Sequence, residues 1–141
     1  MTPRKDRVQV ERHEAVPIVA DDDIVRVRQR VRDCAVSLGF SLVDQTKLVT
    51  AASELARNTL VYGKGGTAIL ETVVNDRRRG LRLTFEDKGP GIPDIAQALT
   101  DGFTSGHGLG LGLSGAKRLS QDFEITSRVG EGTRVVIGRW K

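Results

Sequence analysis

A chain of 141 residues with 38% hydrophobic content can bury one core but hardly two, so a single domain is expected over residues 7–141, behind a polar, flexible tail at residues 1–6. The net charge of +4 comes from basic residues spread along the chain, and aromatics are only 4% with none interleaved among them, which argues against a nucleic-acid partner. The single cysteine excludes an internal disulfide and a multi-cysteine metal site, and no apolar N-terminal run could serve as signal peptide or membrane span, so a cytoplasmic protein with no membrane partner is expected.

From Arg7 to Ala20, Val8 and Val10 alternate and are followed by Val16, Ile18 and Val19, a pattern of one or two short strands interrupted around Pro17. His13 has no second ligand spaced near it and reads as a solvated histidine. Asp21, Asp22 and Asp23 supply an N-cap and first-turn charge for a helix whose apolar stripe is Ile24, Val27, Val31, Cys34, Ala35 and Leu38, ending at Gly39. Cys34 lies on that stripe, which marks it as a packed thiol.

A second helix is expected from Leu42 to Tyr62, capped by Ser41 and stopped by Gly63-Lys64-Gly65-Gly66, with a core stripe of Leu48, Ala52, Leu55 and Thr59. Glu54 and Asn58 are spaced i, i+4 away from the stripe and project from one face. On their own they read as solvated surface; they gain chemical meaning only if the glycine-rich segment further on packs beside them.

Thr67–Val74 and Gly80–Glu86 read as a hairpin through Asn75-Asp76-Arg77-Arg78-Arg79, with Leu81, Leu83 and Phe85 alternating against Arg82, Thr84 and Glu86. The arginine trio is a solvated turn in this reading, with partner docking as the alternative. The second strand delivers Asp87 to the sheet edge, Gly89-Pro90-Gly91 turns the chain, and Asp94 caps a short helix to about Thr100. Asp101–Gly108 is polar and glycine-punctuated, as a mobile lid would be. Leu111–Ser120 is the last helix, and Asp122–Arg128 with Thr133–Trp140 closes the chain as a hairpin around Val129-Gly130-Glu131-Gly132.

Between Gly89 and Gly115 lie eight of the sixteen glycines. Alternate glycines leading into an apolar helical run expose consecutive N–H groups with a helix N-terminus behind them, which is the physics of phosphate binding. Gly110-x-Gly112-x-x-Gly115 matches the dinucleotide fingerprint in letters, but that motif needs a strand directly before it and a parallel βαβ unit, and Asp101–Leu109 is no strand. A P-loop is excluded because no GxxxxGK followed by Ser or Thr occurs.

Glu54-Leu55-Ala56-Arg57-Asn58, then Asp87-x-Gly89-x-Gly91, then Gly106-x-Gly108-x-Gly110-x-Gly112 together resemble the N, G1 and G2 boxes of the GHKL (histidine kinase-like) superfamily of ATPases and kinases. Ala52–Asn58, Gly108–Leu113 with Gly115–Leu119, and Gly130–Thr133 resemble most the RsbT-type serine/threonine-protein kinases of bacterial stress-signalling complexes, from Val8 nearly to the end. The resemblance implies the GHKL (Bergerat) ATP-binding fold: a two-layer α/β (α+β) sandwich, a mixed, mostly antiparallel sheet with helices on one face.

It also implies roles. Asp87 would accept from the adenine amine with Thr133 nearby, while Gly89 and Gly91 let the base approach; Asn58 would hold Mg²⁺, and Glu54 would take the proton of the attacking hydroxyl. Gly106, Gly108, Leu109, Gly110, Leu111 and Gly112 would form the ATP phosphate loop under the lid. Histidine kinases of this superfamily carry a lysine shortly after the asparagine; here the nearest is Lys64, beyond Gly63, a departure from the pattern. The implied partners are STAS-domain proteins of the RsbS/RsbR type and a PP2C-type phosphatase of the RsbU type. The competing class is an anti-sigma factor that sequesters a sigma factor, whose relatives keep the same Glu and Asn.

Overall fold

The structure, a computed structural model, describes residues 8–100 and 112–141. Five strands form one sheet: β1 (Gln9–Ile18), β2 (Gly66–Asn75), β3 (Arg78–Asp87), β4 (Asp122–Arg128) and β5 (Gly132–Trp140), in the order β1-β2-β3-β5-β4. The sandwich expected from the sequence is present, and all four strand pairings among the described residues are antiparallel. A parallel βαβ unit, and with it the dinucleotide-fold reading, is therefore excluded for these strands.

Pro17 does not interrupt the first strand. β1 runs through it in register with Thr67 and shifts register only between Val10 and Arg12, because β1 lies at the sheet edge, where a residue lacking N–H is tolerated. His13 is exposed, as expected of a solvated side chain.

Helix α1 (Asp21–Ser37) starts with Ala20 in the cap position; Asp23, inside the first turn, accepts the Val19 and Ala20 N–H groups at 2.8 and 3.0 Å. These two bonds, ahead of the Arg26 charge, hold its carboxyl below the ordinary range. The acidic triplet thus caps by reaching back from inside the helix. Helix α2 (Leu42–Val61) is capped by Ser41, whose Oγ accepts the Asp44 N–H at 3.1 Å, and its expected stripe of Leu48, Ala52, Leu55 and Thr59 is buried. Cys34 is half-buried against the core, and burial is the main reason its thiol pKa is raised.

Both helices cover one face of the sheet, where Ile24, Val27 and Leu55 join Leu70, Leu83 and Ile137 in one core. On β3 the inward residues Leu81, Leu83 and Phe85 are buried as the alternation requires, but Thr84, on the other face, is only 3% exposed. β3 is the middle strand, so Ile69 and Val136 flank Thr84 from both neighbours. The β2–β3 turn is tighter than expected: Asp76 takes φ +57, and Arg78 and Arg79 already belong to β3. Arg79 pairs with Glu11 at 3.5 Å and Arg78 lies over the Trp140 ring at 5.9 Å, so the arginine trio is divided between turn and sheet. Two short helices complete the described chain, α3 (Ile95–Ala98), capped by Asp94, and α4 (Gly112–Arg118). Among the described residues no helix is long and apolar enough to cross a membrane.

The central strand sets the stability. Leu83→Ala, at a fully buried site, is expected to lower the unfolding free energy by roughly 2–5 kcal/mol. Val25→Ala, 61% exposed on α1, should change it by no more than about 0.5 kcal/mol. Urea unfolding of the two variants checks the contrast.

Candidate functional site

β3 delivers Asp87 opposite Gly66 of β2 and Thr133 of β5. Its Oδ1 accepts the Gly89 N–H at 2.9 Å, and the Thr133 backbone N–H nearby also favours the charged carboxylate. Burial raises the Asp87 pKa, and the two N–H groups oppose that shift.

The backbone closes on this carboxylate from two sides. A Cβ at Gly63, just past the end of α2, would stand 2.3 Å from Asp87 Cγ, and one at Gly132 would stand 2.1 Å from the Asp87 carbonyl oxygen. Gly132 also has φ +107. Gly89 stacks on Gly63, where a Cβ would meet the Gly63 Cα at 2.8 Å. No side chain fits at these points, so the glycines bring three segments to one carboxylate.

In front of Asp87 is an open cavity of about 440 Å³, within the size of small-molecule sites. Leu55, Phe85, Ile92, Leu113 and Val135 supply much of its apolar surface, and its polar lining includes Asn58, Tyr62, Asp87, Asp94, Gln97 and Thr133. Asn58 is there because α2 packs against α4: a Cβ at Gly112 would be 3.1 Å from its Nδ2.

The expected residues thus divide. Asn58, Asp87, Gly91, Gly112 and Thr133 line one cavity, and Gly89 packs behind Asp87. Glu54, one turn before Asn58 and half-buried, is not on the cavity wall, and neither is Lys64, which is exposed with φ +61. Gly106, Gly108, Leu109, Gly110, Leu111 and the lid at Asp101–Gly108 lie outside the described residues.

Two contributors escape sequence reasoning. Gly63 reads as a helix stop, yet it faces Asp87 24 positions later. Ser127 accepts the Ile92 N–H at 2.8 Å, donates to the Gly132 carbonyl at 3.1 Å and contacts Thr133 Oγ1 at 2.8 Å. Its signal was available: it continues the inward series Phe123, Ile125, Ser127 of β4, and a polar residue at an inward strand position needs a partner.

The cavity thus ends on a carboxylate at one side and on an asparagine of a helix at the other. Residues 43–141 match the model of the histidine kinase-, DNA gyrase B-, and HSP90-like ATPases. The chain is 46% identical over 125 residues to the serine/threonine-protein kinase RsbT of Bacillus subtilis, a match that covers 89% of this chain and 94% of that protein. The chain belongs to this ATPase family and, within it, to the serine/threonine-protein kinases of the RsbT type. It is also 32% identical over 95 residues to the anti-sigma F factor of Clostridium beijerinckii, covering 62% of this chain and 65% of that one. The fold is shared with a crystal structure of RsbU and RsbW domains from Mycobacterium tuberculosis (TM-score 0.65, 17% identity, 92% of this chain and 33% of that one). It is shared also with the mycobacterial sensor histidine kinase MprB (TM-score 0.55, 21% identity, 92% and 97%).

The raised pKa of Asp87 carries a sign. The folded state holds this proton more tightly than the unfolded chain, so Asp87 stabilises the fold at low pH and loses that contribution as pH rises from the ordinary carboxyl value of about 3.9 through the folded one. Asp87→Asn keeps an acceptor for Gly89 and removes the ionisation. Its unfolding temperature relative to wild type should therefore shift upward between pH 3 and pH 7, read by thermal unfolding at both.

Proposed function

We propose that this kinase transfers the γ-phosphoryl group of ATP, with Mg²⁺, to a serine or threonine of a STAS-domain protein in a cytoplasmic partner switch, and that release from the phosphorylated protein frees it to activate a PP2C-type phosphatase. The observation that carries the reading is the near full-length 46% identity to RsbT, combined with a cavity that holds Asn58 and Asp87 in its polar lining.

Adenine would sit against Asp87 and Thr133, with the phosphates toward Asn58 and Gly112. Among the described residues there is no cluster of three or more His, Cys, Asp or Glu side chains that could cage a metal, and a lone amide oxygen suits Mg²⁺, which keeps most of its shell as water and phosphate oxygen. When bound, the ion would supply charge neutralisation between the β- and γ-phosphates. Asn58 would hold it. Glu54, one turn along α2 and off the cavity wall, would meet a hydroxyl brought by a separate chain. The hydroxyl oxygen forms the new bond to the γ-phosphorus, the bond to the β-phosphate oxygen breaks, ADP leaves, and the hydroxyl proton passes to the Glu54 carboxylate.

The second reading, sequestration of a sigma factor, is favoured by the 32% identity to an anti-sigma F factor. The two separate by assay. Glu54→Gln should keep Mg²⁺-ATP affinity and slow phosphorylation of a STAS protein roughly 10²–10⁴-fold, followed by intact mass. Asn58→Ala should lose both Mg²⁺-dependent affinity and transfer. Wild-type protein that phosphorylates no STAS partner yet binds a sigma factor, with Glu54→Gln binding it equally, would replace the kinase reading with the sequestering one.

A further inference from the structure

Ser127 stands where the two walls of the adenine end meet. Its Oγ accepts the Ile92 N–H at 2.8 Å from the loop after Asp87, and donates to the Gly132 carbonyl at 3.1 Å. A hydroxyl has one proton and two acceptor sites. With its proton on Gly132 and one acceptor site on Ile92, Ser127 meets Thr133 Oγ1, at 2.8 Å, with a lone pair. All three Ser127 contacts are satisfied together only when the Thr133 hydroxyl is the donor of the pair, and the inference takes that arrangement.

What remains of the Thr133 hydroxyl toward the cavity is lone pairs, and the neighbouring Asp87 carboxylate is an acceptor as well. A base that offers two protons on an exocyclic amine matches such a wall. A base with a carbonyl at the same place puts lone pairs against lone pairs, and a buried mismatch of that kind costs more than the bond it replaces gains.

Resting on the placement of adenine against Asp87 and Thr133, we infer that Ser127 is a positioning residue that makes this wall acceptor-only and so sets the preference for a 6-amino over a 6-oxo purine nucleotide. The residue does not touch the base in this arrangement. It acts through the proton of Thr133, and it fastens the Ile92 loop to the β4–β5 hairpin in the same bond network. The loop has a second tie of its own, since the Gly130 N–H donates to the Pro90 carbonyl at 2.8 Å, so removing one hydroxyl leaves the loop attached.

The test is the ratio of ATP to inosine triphosphate affinities, measured by calorimetry with the full chain. Ser127→Ala frees the Thr133 proton to turn toward a 6-oxo group, and the ratio should fall by about tenfold, the worth of a hydrogen bond exchanged for a mismatch. Ser127→Thr keeps the hydroxyl and should hold the ratio within about twofold of wild type. In a Thr133→Val background, adding Ser127→Ala should no longer move the ratio. Equal losses of both affinities in Ser127→Ala would show a structural tie only and overturn the inference, as would a ratio that still moves without the Thr133 hydroxyl. If Ser127→Ala does not fold, Thr133→Val alone decides, because an unchanged ratio there is incompatible with the inference. Asp87→Asn separates the levels: if it binds ATP as wild type does, the placement of adenine fails and takes this inference with it. If it loses ATP by about tenfold or more while Ser127→Ala leaves the ratio intact, only the role of Ser127 falls.

Discussion

The close approach of backbone to the Asp87 carboxylate governs the rest of the site. Gly63 leaves no room for a Cβ beside Asp87 Cγ, and Gly132 leaves none beside its carbonyl oxygen. Three separate segments, the end of α2, the end of β3 and the start of β5, are therefore held at contact distance around one ionisable group. The group is kept partly out of water, with the Gly89 N–H donating to it and the Thr133 N–H near it. That combination leaves an acceptor oriented before any ligand arrives, and preorganisation of this kind reduces the cost of binding.

Helix α2 serves the core and the site at once. Leu48, Ala52, Leu55 and Thr59 bind it to the sheet, and this fixes the rotation that turns Asn58 into the cavity and Glu54 out of it. The Thr59 hydroxyl donates to the Leu55 carbonyl at 2.9 Å, so the stripe satisfies its own buried polar atom and Thr59 packs as a near-apolar residue. A helix held by the core from Leu48 to Thr59 is a rigid support for the Asn58 amide and the Glu54 carboxylate one turn earlier.

The relation to both a kinase and anti-sigma factors has a physical basis in this layout. The open cavity is built from the domain's own elements, whereas Glu54 lies off its wall. Under the proposed reading, a hydroxyl presented there would make phosphoryl transfer possible, and a surface without one would be held and not modified. On that reading the same domain could carry either use, with the choice resting on what the partner brings to Glu54.

The fold was largely legible from local chemistry. Periodicity located α1, α2 and the two hairpins to within a few residues, since amphipathic stripes, Ser41 as cap and Gly39 and Gly63 as stops are properties of neighbouring residues. Pro17 misled because edge position is not a local property; only the pairing of β1 with β2 alone leaves it a side without a partner. Thr84 misled for the matching reason, being polar by alternation yet shut in by two flanking strands. Of the site, Asp87, Asn58 and the glycines could be named from motif order, but the contacts of Gly63 with Asp87 and of Ser127 with Ile92 and Thr133 join segments 24 and 35 residues apart or lie across a strand pair. The sequence by itself determined which elements form and which residue types carry the chemistry, because those depend on near neighbours. The tertiary structure alone decided which backbone comes within reach of the carboxylate and which hydroxyl directs which proton, because those distances are fixed by how the helices and the sheet pack.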